Sequence, residues 1–290
     1  MSNKVCVIGA GPSGITAAKN LKDEGMEGLV LDLRNNGGGS LPTVVDMAGL
    51  FIKDGPIVQV RSTGEPKEVL KDRDKSIVWN GPLVILVNEI SASASEIMAA
   101  AMQDYKRAII IGSKQTYGKG TVQNVINLNN MLRNNTSGDL GALALTRQKY
   151  YRINGGSVQL EGVKSDIKVP GRFSFIDVGE KDKENPLPYD EIDAAEYTPW
   201  ESYFDYDATI ENSRLRMSSN EQLKLIEQNA KWVKSKIDET IVPLDYNKYR
   251  GGLKLNEEEA KHFDALRQYG QDCNYFFKCT DCNALQCFAK

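Results

Sequence analysis

Short apolar runs separated by polar or glycine-containing turns recur along the first part of the chain. A short apolar run bounded by turn residues is typical of a buried strand. Between two such runs, apolar residues with helical spacing predict an amphipathic helix that begins after Ser40. This alternation predicts an α/β fold. The predicted strands are Lys4–Ile8, Leu29–Leu31, Ile57–Val60, Leu83–Val87, Ala108–Ile111, Val122–Leu128, Leu143–Tyr151 and Val158–Val163.

The last third of the chain has a different pattern. Residues 177–211 contain 12 acidic and 2 basic side chains, which favours a solvated linker, although an acidic interaction strip would have the same composition. Asn256 followed by Glu259 resembles the start of a helix. The sequence therefore predicts an acidic linker over residues 176–212 and a helical region over residues 213–268. One face of a further predicted helix holds Leu223, Ile226, Ala230, Val233 and Ile237.

Candidate chemistry is concentrated between two neighbouring predicted strands. The strand Leu83–Val87 turns into small residues that open an alanine-rich helix, which places Ser93 at or near a helix N-terminus. Unpaired backbone N–H groups and the helix dipole favour negative charge there. A glycine-flanked loop after the next predicted strand carries Lys119. These residues could supply a nucleophile and an amine, but an N-cap serine and a solvated lysine would have the same spacing.

A second signal lies near the N-terminus. Gly9, Gly11 and Gly14 follow a predicted strand and open a predicted helix, and Asp32 follows the next strand. In dinucleotide-binding folds such glycines let pyrophosphate approach a helix N-terminus, and the acidic residue binds the ribose hydroxyls. Residues 1–18 also resemble the start of a flavin-dependent monooxygenase. An FAD- or NAD-binding oxidoreductase is therefore the alternative function.

Six motifs occur in one order along the chain: DLRNNGGGSL, GPLVILVN, ISASASEI, AMQDY, TYGKGTVQ and KYYRINGGSVQLEGVKSDI. Together they resemble the tail-specific, or carboxy-terminal processing, proteases from about residue 18 to residue 266. The resemblance implies an α/β catalytic domain with a mixed sheet and flanking helices, followed by a helical C-terminal region. It also implies a serine-type endopeptidase that uses no cofactor and cleaves unfolded or C-terminally tagged polypeptides.

The same resemblance implies roles for particular residues. Ser93 would be the nucleophile and Lys119 the base, since a serine hydroxyl needs a base beside it. A lysine acts as a base only when its amine is neutral, and burial in an apolar site favours the neutral form. The N–H of Gly38 or Gly39 would join that of Ala94 in an oxyanion hole. A tight turn alone would use the same glycines.

Two polar residues compete to orient Lys119. Asp104 would lie about 16 Å from Ser93 along one continuous helix, so direct contact is not expected and we predict a structural role for it. Gln123 is four residues after Lys119, and its amide could hold the amine without stabilising the charged form. We therefore predict Gln123 as the third member of the site. The single histidine, His262, falls in a charged predicted helix, where a surface position is predicted.

The two resemblances meet between residues 15 and 20, so the chain is expected to be chimeric. A foreign βα fragment would occupy residues 1–18, and residues 19–175 would form a catalytic core that lacks the PDZ domain of the resembled family. Such a truncation would impair activity, so an inactive truncated protease is a further alternative function. The last segment, residues 269–290, has enough thiolates for a weak zinc-site candidate but no second well-spaced CxxC pair. Reduced thiols in a tail are the alternative. The four cysteines are Cys273, Cys279, Cys282 and Cys287.

Composition restricts the partners. Apolar residues make up 41% of the chain, charged residues 26%, and the net charge is −3, so a globular protein is expected and a nucleic-acid partner is not. No apolar run approaches the roughly 20 residues that span a bilayer, so no transmembrane segment is predicted. The N-terminus lacks the apolar core of a signal peptide, which favours the cytoplasm, whereas the resemblance implies the periplasm or cell envelope. A homo-oligomer is an alternative, because missing opening strands would expose a sheet edge.

Overall fold

The computed structural model describes residues 5–9, 26–131, 138–201 and 204–266 of the 290-residue chain. The chain divides into two compact units, Met1–Ser218 and Ser219–Lys290. The strands in the described residues are β1 (Val5–Gly9), β2 (Gly28–Asp32), β3 (Gly55–Ser62), β4 (Glu68–Asp72), β5 (Leu83–Val87), β6 (Ile109–Gly112), β7 (Thr121–Asn127), β8 (Ala142–Tyr151) and β9 (Ile167–Lys168). The α-helices are α1 (Leu41–Gly49), α2 (Ala94–Asp104), α3 (Tyr206–Ser218), α4 (Glu221–Asp238) and α5 (Tyr246–Ala260).

A parallel sheet forms the centre of the first unit, with the strand order β1, β2, β5, β6, β9. The inner strands of this sheet are continuous apolar runs in the sequence, because a strand that is covered on both faces needs apolar side chains on each face. Leu29, Leu31, Ile85 and Ile110 are each at most 2% exposed. Helices α1 and α2 pack on each other and contribute to the same core. The α/β fold class predicted from the sequence is confirmed.

The antiparallel strands form a separate sheet with the order β4, β3, β8, β7, so two sheets stand where one mixed sheet was expected. Strand β4 lies in the charged stretch after β3 and pairs with it as a hairpin. Strands β7 and β8 pair over the whole of β7, with a bulge between Val122 and Gln123. Strand β7 begins at Thr121, directly after the loop that carries Lys119, and it lies at the edge of the sheet.

The predicted strand Val158–Val163 is wrong. Its two end residues are fully buried, but Leu160 has a φ of 66°, which no strand allows. The segment is a loop, and Gln159 Oε1 accepts a hydrogen bond from Gly120 N at 2.9 Å. A buried loop and a buried strand both need apolar residues, so the sequence pattern did not separate them.

The acidic segment lies along the surface of the first unit. Its described residues between 183 and 205 form no helix or strand. Backbone hydrogen bonds fix it there: Ile192 N donates to Gly155 O at 2.9 Å, and Trp200 N donates to Tyr105 O at 2.7 Å. Helix α3 begins within the predicted linker and packs against strands β6 and β9. Regular structure therefore resumes earlier than the composition indicates.

Helices α4 and α5 make up most of the described part of the second unit, and the helical C-terminal region is confirmed. The ring of Trp232 lies 5.7 Å from that of Phe263, measured between centroids. The predicted helix start at Asn256 is wrong, because α5 begins after Asp245, whose carboxylate accepts a hydrogen bond from Lys248 N at 2.8 Å. Among the described residues, no helix has the length and apolar character that a membrane span requires.

Candidate active site

Ser93 occupies the turn between strand β5 and helix α2, where the sequence predicts it. Its backbone has a φ of 56° and a ψ of −115°, a conformation that costs about 1–3 kcal/mol for a residue with a side chain. Hydrogen bonds on both sides of the residue hold it there. Ser93 N donates to Glu96 Oε2 at 2.8 Å, and the Tyr150 hydroxyl donates to Ser93 O at 3.2 Å. The strained turn is therefore fixed from both sides of the residue.

The glycine turn that follows β2 lies against Ser93. Gly38 has a φ of 107°, and a Cβ atom built on it would lie 2.8 Å from both Ser93 Cβ and Ala92 O, so only glycine fits. Two asparagines join the glycine turn to the serine turn. Asn88 Nδ2 donates to Asn35 Oδ1 at 2.8 Å, and Asn35 N donates to Asn88 Oδ1 at 2.9 Å. The two turns are consequently held as one structure.

Backbone N–H groups near Ser93 are the candidate oxyanion donors. Gly38 N already donates to Asn36 Oδ1 at 2.9 Å. Within the part of the chain that the structure describes, no acceptor is recorded for the N–H of Gly39 or of Ala94. Of the two glycines predicted for this role, Gly39 is thus the one whose N–H is available to a substrate.

Lys119 lies on the loop between β6 and β7, and its side chain is partly buried. Its Nζ donates to Gln123 Oε1 at 3.3 Å, so these two predicted site residues are in contact. The described residues include no hydrogen bond between Lys119 Nζ and Ser93 Oγ. The structure therefore brings lysine and glutamine together, and it leaves the lysine less buried than the sequence predicts.

Glu96 connects the serine turn to the lysine loop, and sequence reasoning missed it. Its side chain is fully buried. Oε2 accepts hydrogen bonds from Ser93 N and from Lys119 N at 3.0 Å, while Oε1 accepts them from Gly118 N at 2.7 Å and Thr116 Oγ1 at 2.5 Å. The spacing Ser93-x-x-Glu96, which matches a capping box, was the available signal.

Burial and hydrogen bonding act in opposite directions on the Glu96 carboxyl group. Burial raises the pKa of this group and the four hydrogen bonds lower it, and because burial dominates, the pKa rises from 4.5 to about 7. Burial also raises the pKa of Tyr150 well above its ordinary value, and the nearby carboxylates of Glu96 and Glu180 act in the same direction. Tyr150 therefore keeps its proton and remains the donor to Ser93 O.

Asp104 lies at the far end of helix α2 from Ser93, as predicted. Its carboxylate accepts hydrogen bonds from Arg152 Nε at 3.1 Å, from Arg152 Nη2 at 2.5 Å and from Asn154 Nδ2 at 2.9 Å. The Asp104 and Arg152 side chains are 5% and 17% exposed. These contacts join helix α2 to the turn after β8, which is a structural role.

Asp104→Ala is expected to lower the free energy of unfolding by about 3–5 kcal/mol, because Arg152 would be left as a partly buried charge without its partner. Urea unfolding followed by circular dichroism measures the change. Asp46→Ala removes an exposed carboxylate on helix α1 and serves as the control. Equal stability of the two variants would contradict the structural role of Asp104.

Comparison with family models identifies the family of the chain. A model of peptidase family S41 matches residues 12–169. The chain belongs to peptidase family S41. A model of the C-terminal domain of tail specific protease matches residues 173–276, so the S41 chain shows family similarity beyond residue 266, where the sequence resemblance was expected to end.

The chain is similar to the tail-specific protease of Haemophilus influenzae, with 39% identity over 89% of this chain and 36% of that protein. The carboxy-terminal-processing protease of Bartonella bacilliformis is 37% identical over 66% of this chain and 36% of that protein. The chain thus spans about a third of the length of these relatives. Among solved structures, a photosystem II D1 C-terminal processing protease gives a TM-score of 0.48 and 31% identity, over 57% of this chain and 42% of that one.

The dinucleotide-binding interpretation is not supported. The Asp32 carboxylate is occupied by Arg34: Oδ1 accepts from Arg34 N at 3.0 Å and Nε at 2.9 Å, and Oδ2 accepts from Nη2 at 2.7 Å. The S41 match begins at residue 12, so it includes Gly14 and Asp32. Gly11 and Gly14 lie outside the described residues. Strand β1 ends at Gly9 and pairs in parallel with β2, so it extends the sheet of the first unit.

The zinc-site candidate lies outside the described residues, since it consists of Cys273, Cys279, Cys282 and Cys287. Among the residues that the structure describes, no group of three or more His, Cys, Asp or Glu side chains could hold a metal ion. His262 belongs to the second unit, where its ring lies 5.0 Å from that of Phe263.

Proposed function

We propose that the chain is a serine-type endopeptidase of the tail-specific, or C-terminal processing, kind. Membership of family S41 supports this, and one geometric observation carries it. The buried Glu96 carboxylate binds the backbone N–H groups of both Ser93 and Lys119. This shared acceptor fixes the predicted nucleophile and the predicted base relative to each other. Unfolded polypeptides or polypeptide C-termini are the proposed substrates, in line with the names of the relatives.

In the proposed first step, the neutral amine of Lys119 accepts the proton of Ser93 Oγ as that oxygen bonds to the scissile carbonyl carbon. The carbonyl oxygen gains negative charge and accepts hydrogen bonds from the N–H groups of Ala94 and Gly39. The C–N bond then breaks, and the Lys119 ammonium gives its proton to the leaving amine. A water molecule attacks the resulting ester, again with Lys119 as base, and releases a carboxylic acid and free Ser93.

Gln123 suits this mechanism because its amide oxygen is neutral. A carboxylate in the same place would stabilise the charged ammonium form of Lys119 and oppose its action as a base. A bound polypeptide would cover the partly exposed Lys119 side chain and favour the neutral amine. Contact between Lys119 Nζ and Ser93 Oγ belongs to the substrate complex, since catalytic hydrogen bonds often shorten only there.

A fluorophosphonate probe, which phosphonylates activated serines with loss of fluoride, tests the proposal. The wild-type chain is expected to be labelled and to cleave an unfolded polypeptide, whereas Ser93→Ala is expected to do neither. Ser76→Ala removes an exposed serine hydroxyl and should behave as the wild type does. Labelling of Ser93→Ala to the same extent as the wild type would overturn the assignment, as would a folded wild-type chain that is neither labelled nor active.

Gly38→Ala is expected to lower kcat by about a hundredfold to a thousandfold, because the new Cβ would push the glycine turn away from Ser93 and displace an oxyanion donor. Steady-state peptide cleavage measures the change. Gly37→Ala is the matched control, since a Cβ on Gly37 would meet no atom within 4 Å. Unchanged kcat in the folded Gly38→Ala variant would show that this turn has no part in the reaction.

A further inference from the structure

Strand β7 leads away from the candidate active site and has an open edge. It begins two residues after Lys119 and contains Gln123. Among the described residues, strand β7 has one neighbour, β8, in the sheet order β4, β3, β8, β7. The structure records no hydrogen bond from the described residues to the outer side of β7. An open edge of this kind presents unpaired N–H and C=O groups to a further strand.

The two edges of this sheet differ in charge. Strand β4, at one edge, has the sequence EVLKD, in which three of five residues are charged. Strand β7, at the other edge, has the sequence TVQNVIN, in which none of seven residues is charged. Charged residues on an edge strand discourage pairing with other chains, so β4 is protected and β7 is not. The unprotected edge is the one that adjoins the Lys119 loop.

Exposed apolar side chains accompany the open edge. Val125 is 73% exposed, and Leu143 and Leu145 on β8 are 46% and 39% exposed. Val125 pairs with Ala144, whereas Ile126 pairs with Leu143, so the two faces of the β7–β8 ribbon both present apolar residues. An added strand would therefore meet apolar side chains on each side of its backbone.

We propose that the open edge of β7 binds an extended, uncharged and apolar segment of the polypeptide substrate as an additional strand. This inference rests on the proposed function and names the substrate segment that the site prefers. Backbone hydrogen bonds to β7 would supply affinity, and alternate apolar side chains would contact the ribbon faces. Because β7 begins beside Lys119, the part of the substrate chain next to the bound strand would reach Ser93.

The chemistry of β7 decides among possible occupants. A nucleic acid would need lysine or arginine side chains, and β7 has none. A charged peptide segment would lose hydration along β7 without gaining a partner of opposite charge on that strand. A second copy of this chain could also pair with the edge, and the experiment distinguishes that outcome.

The test uses the full chain with Ser93→Ala, so that binding is measured without cleavage. The probe is a short fluorescein-labelled peptide of alternating valine and threonine, and its affinity is measured by fluorescence anisotropy. Val125→Lys in this background is expected to weaken binding about tenfold or more, through lost apolar contact and an unfavourable buried charge. Leu215→Lys is the control, because Leu215 is 61% exposed on helix α3. It should leave the affinity unchanged.

Hydrogen exchange gives a second measurement, in which the peptide should slow exchange of the amides of residues 122–127. Equal affinity of the Val125→Lys and Leu215→Lys chains, or protection confined to other segments, would overturn the proposal. Loss of a dimer in Val125→Lys, seen by light scattering, would also overturn it in favour of self-association. If Val125→Lys does not fold, Asn124→Lys replaces it, since Asn124 is exposed on the same strand. Failure of the proposed function itself would appear separately, as absent fluorophosphonate labelling of Ser93.

Discussion

Lys119→Ala is expected to lower the rate of polypeptide cleavage by about a hundredfold to ten-thousandfold, which is the contribution that a positioned general base makes. The variant keeps Ser93, the glycine turn and the Glu96 contacts, because Glu96 binds the backbone N–H of Lys119 and not its side chain. The loss should therefore appear in kcat with little change in the thermal unfolding midpoint. Single-turnover cleavage of an unfolded polypeptide measures the rate of the acylation step directly.

Lys114→Ala is the matched control, since Lys114 is an exposed lysine on the same loop. Its activity should equal that of the wild type. Lys119→Arg should be as inactive as Lys119→Ala, because a guanidinium keeps its proton at any working pH. Wild-type activity in a folded Lys119→Ala variant would show that another group accepts the serine proton.

Sequence reasoning succeeded where the determining interactions are local. The apolar run Leu83–Val87 coincides with strand β5, and Ser93 precedes helix α2 as the small residues after the strand indicate. Lys119 and Gln123 are four residues apart, and their side chains meet because the chain between them is short. Hydrophobic periodicity and helix-capping patterns extend over only a few residues. The strand, the helix start and the lysine–glutamine contact depend mainly on such local patterns.

The contacts missed from the sequence join segments that are distant along the chain. Glu96 meets Thr116 and Gly118 only because β5 and β6 pair in the parallel sheet, which brings the loops after both strands to the same end. Arg152 likewise reaches Asp104 across 48 residues. Periodicity carries no information on such pairing, so it predicted neither the role of Glu96 nor the partners of Asp104.

Glu96 is expected to give the activity a pH dependence with a midpoint near pH 7. Its ionised carboxylate accepts three backbone N–H bonds and one hydroxyl bond, so it holds Ser93 and Lys119 in place. A protonated carboxyl group carries an O–H donor that faces other donors, and at least one of these bonds would be lost. Because burial raises the pKa to about 7, kcat should rise as the pH increases through about 7.

The same group affects stability with the opposite sign. The pKa of Glu96 is about 7 in the folded chain against an ordinary value of 4.5, so the folded state binds this proton more tightly than the unfolded state does. The contribution of Glu96 to stability is therefore constant below pH 4.5, declines between pH 4.5 and pH 7, and is constant above. The decline amounts to about 3 kcal/mol, at about 1.4 kcal/mol per pH unit. As the pH rises through this range, the expected activity therefore increases while the stability of the fold decreases.

Glu96→Gln tests whether the step near pH 7 belongs to Glu96. Glutamine has one acceptor oxygen, and its NH₂ group would face backbone donors, so kcat should fall about a hundredfold or more through displacement of the groups around Ser93. The kcat step near pH 7 and the decline in stability between pH 4.5 and pH 7 should both disappear. Glu89→Gln is the control, because the pKa of the Glu89 carboxyl group is also raised by burial, but this group is only partly buried and bonds to Ser174. It should retain the step near pH 7. If Glu96→Gln retained that step, the step would belong to another group, and Glu96 ionisation would not determine the pH dependence of the reaction.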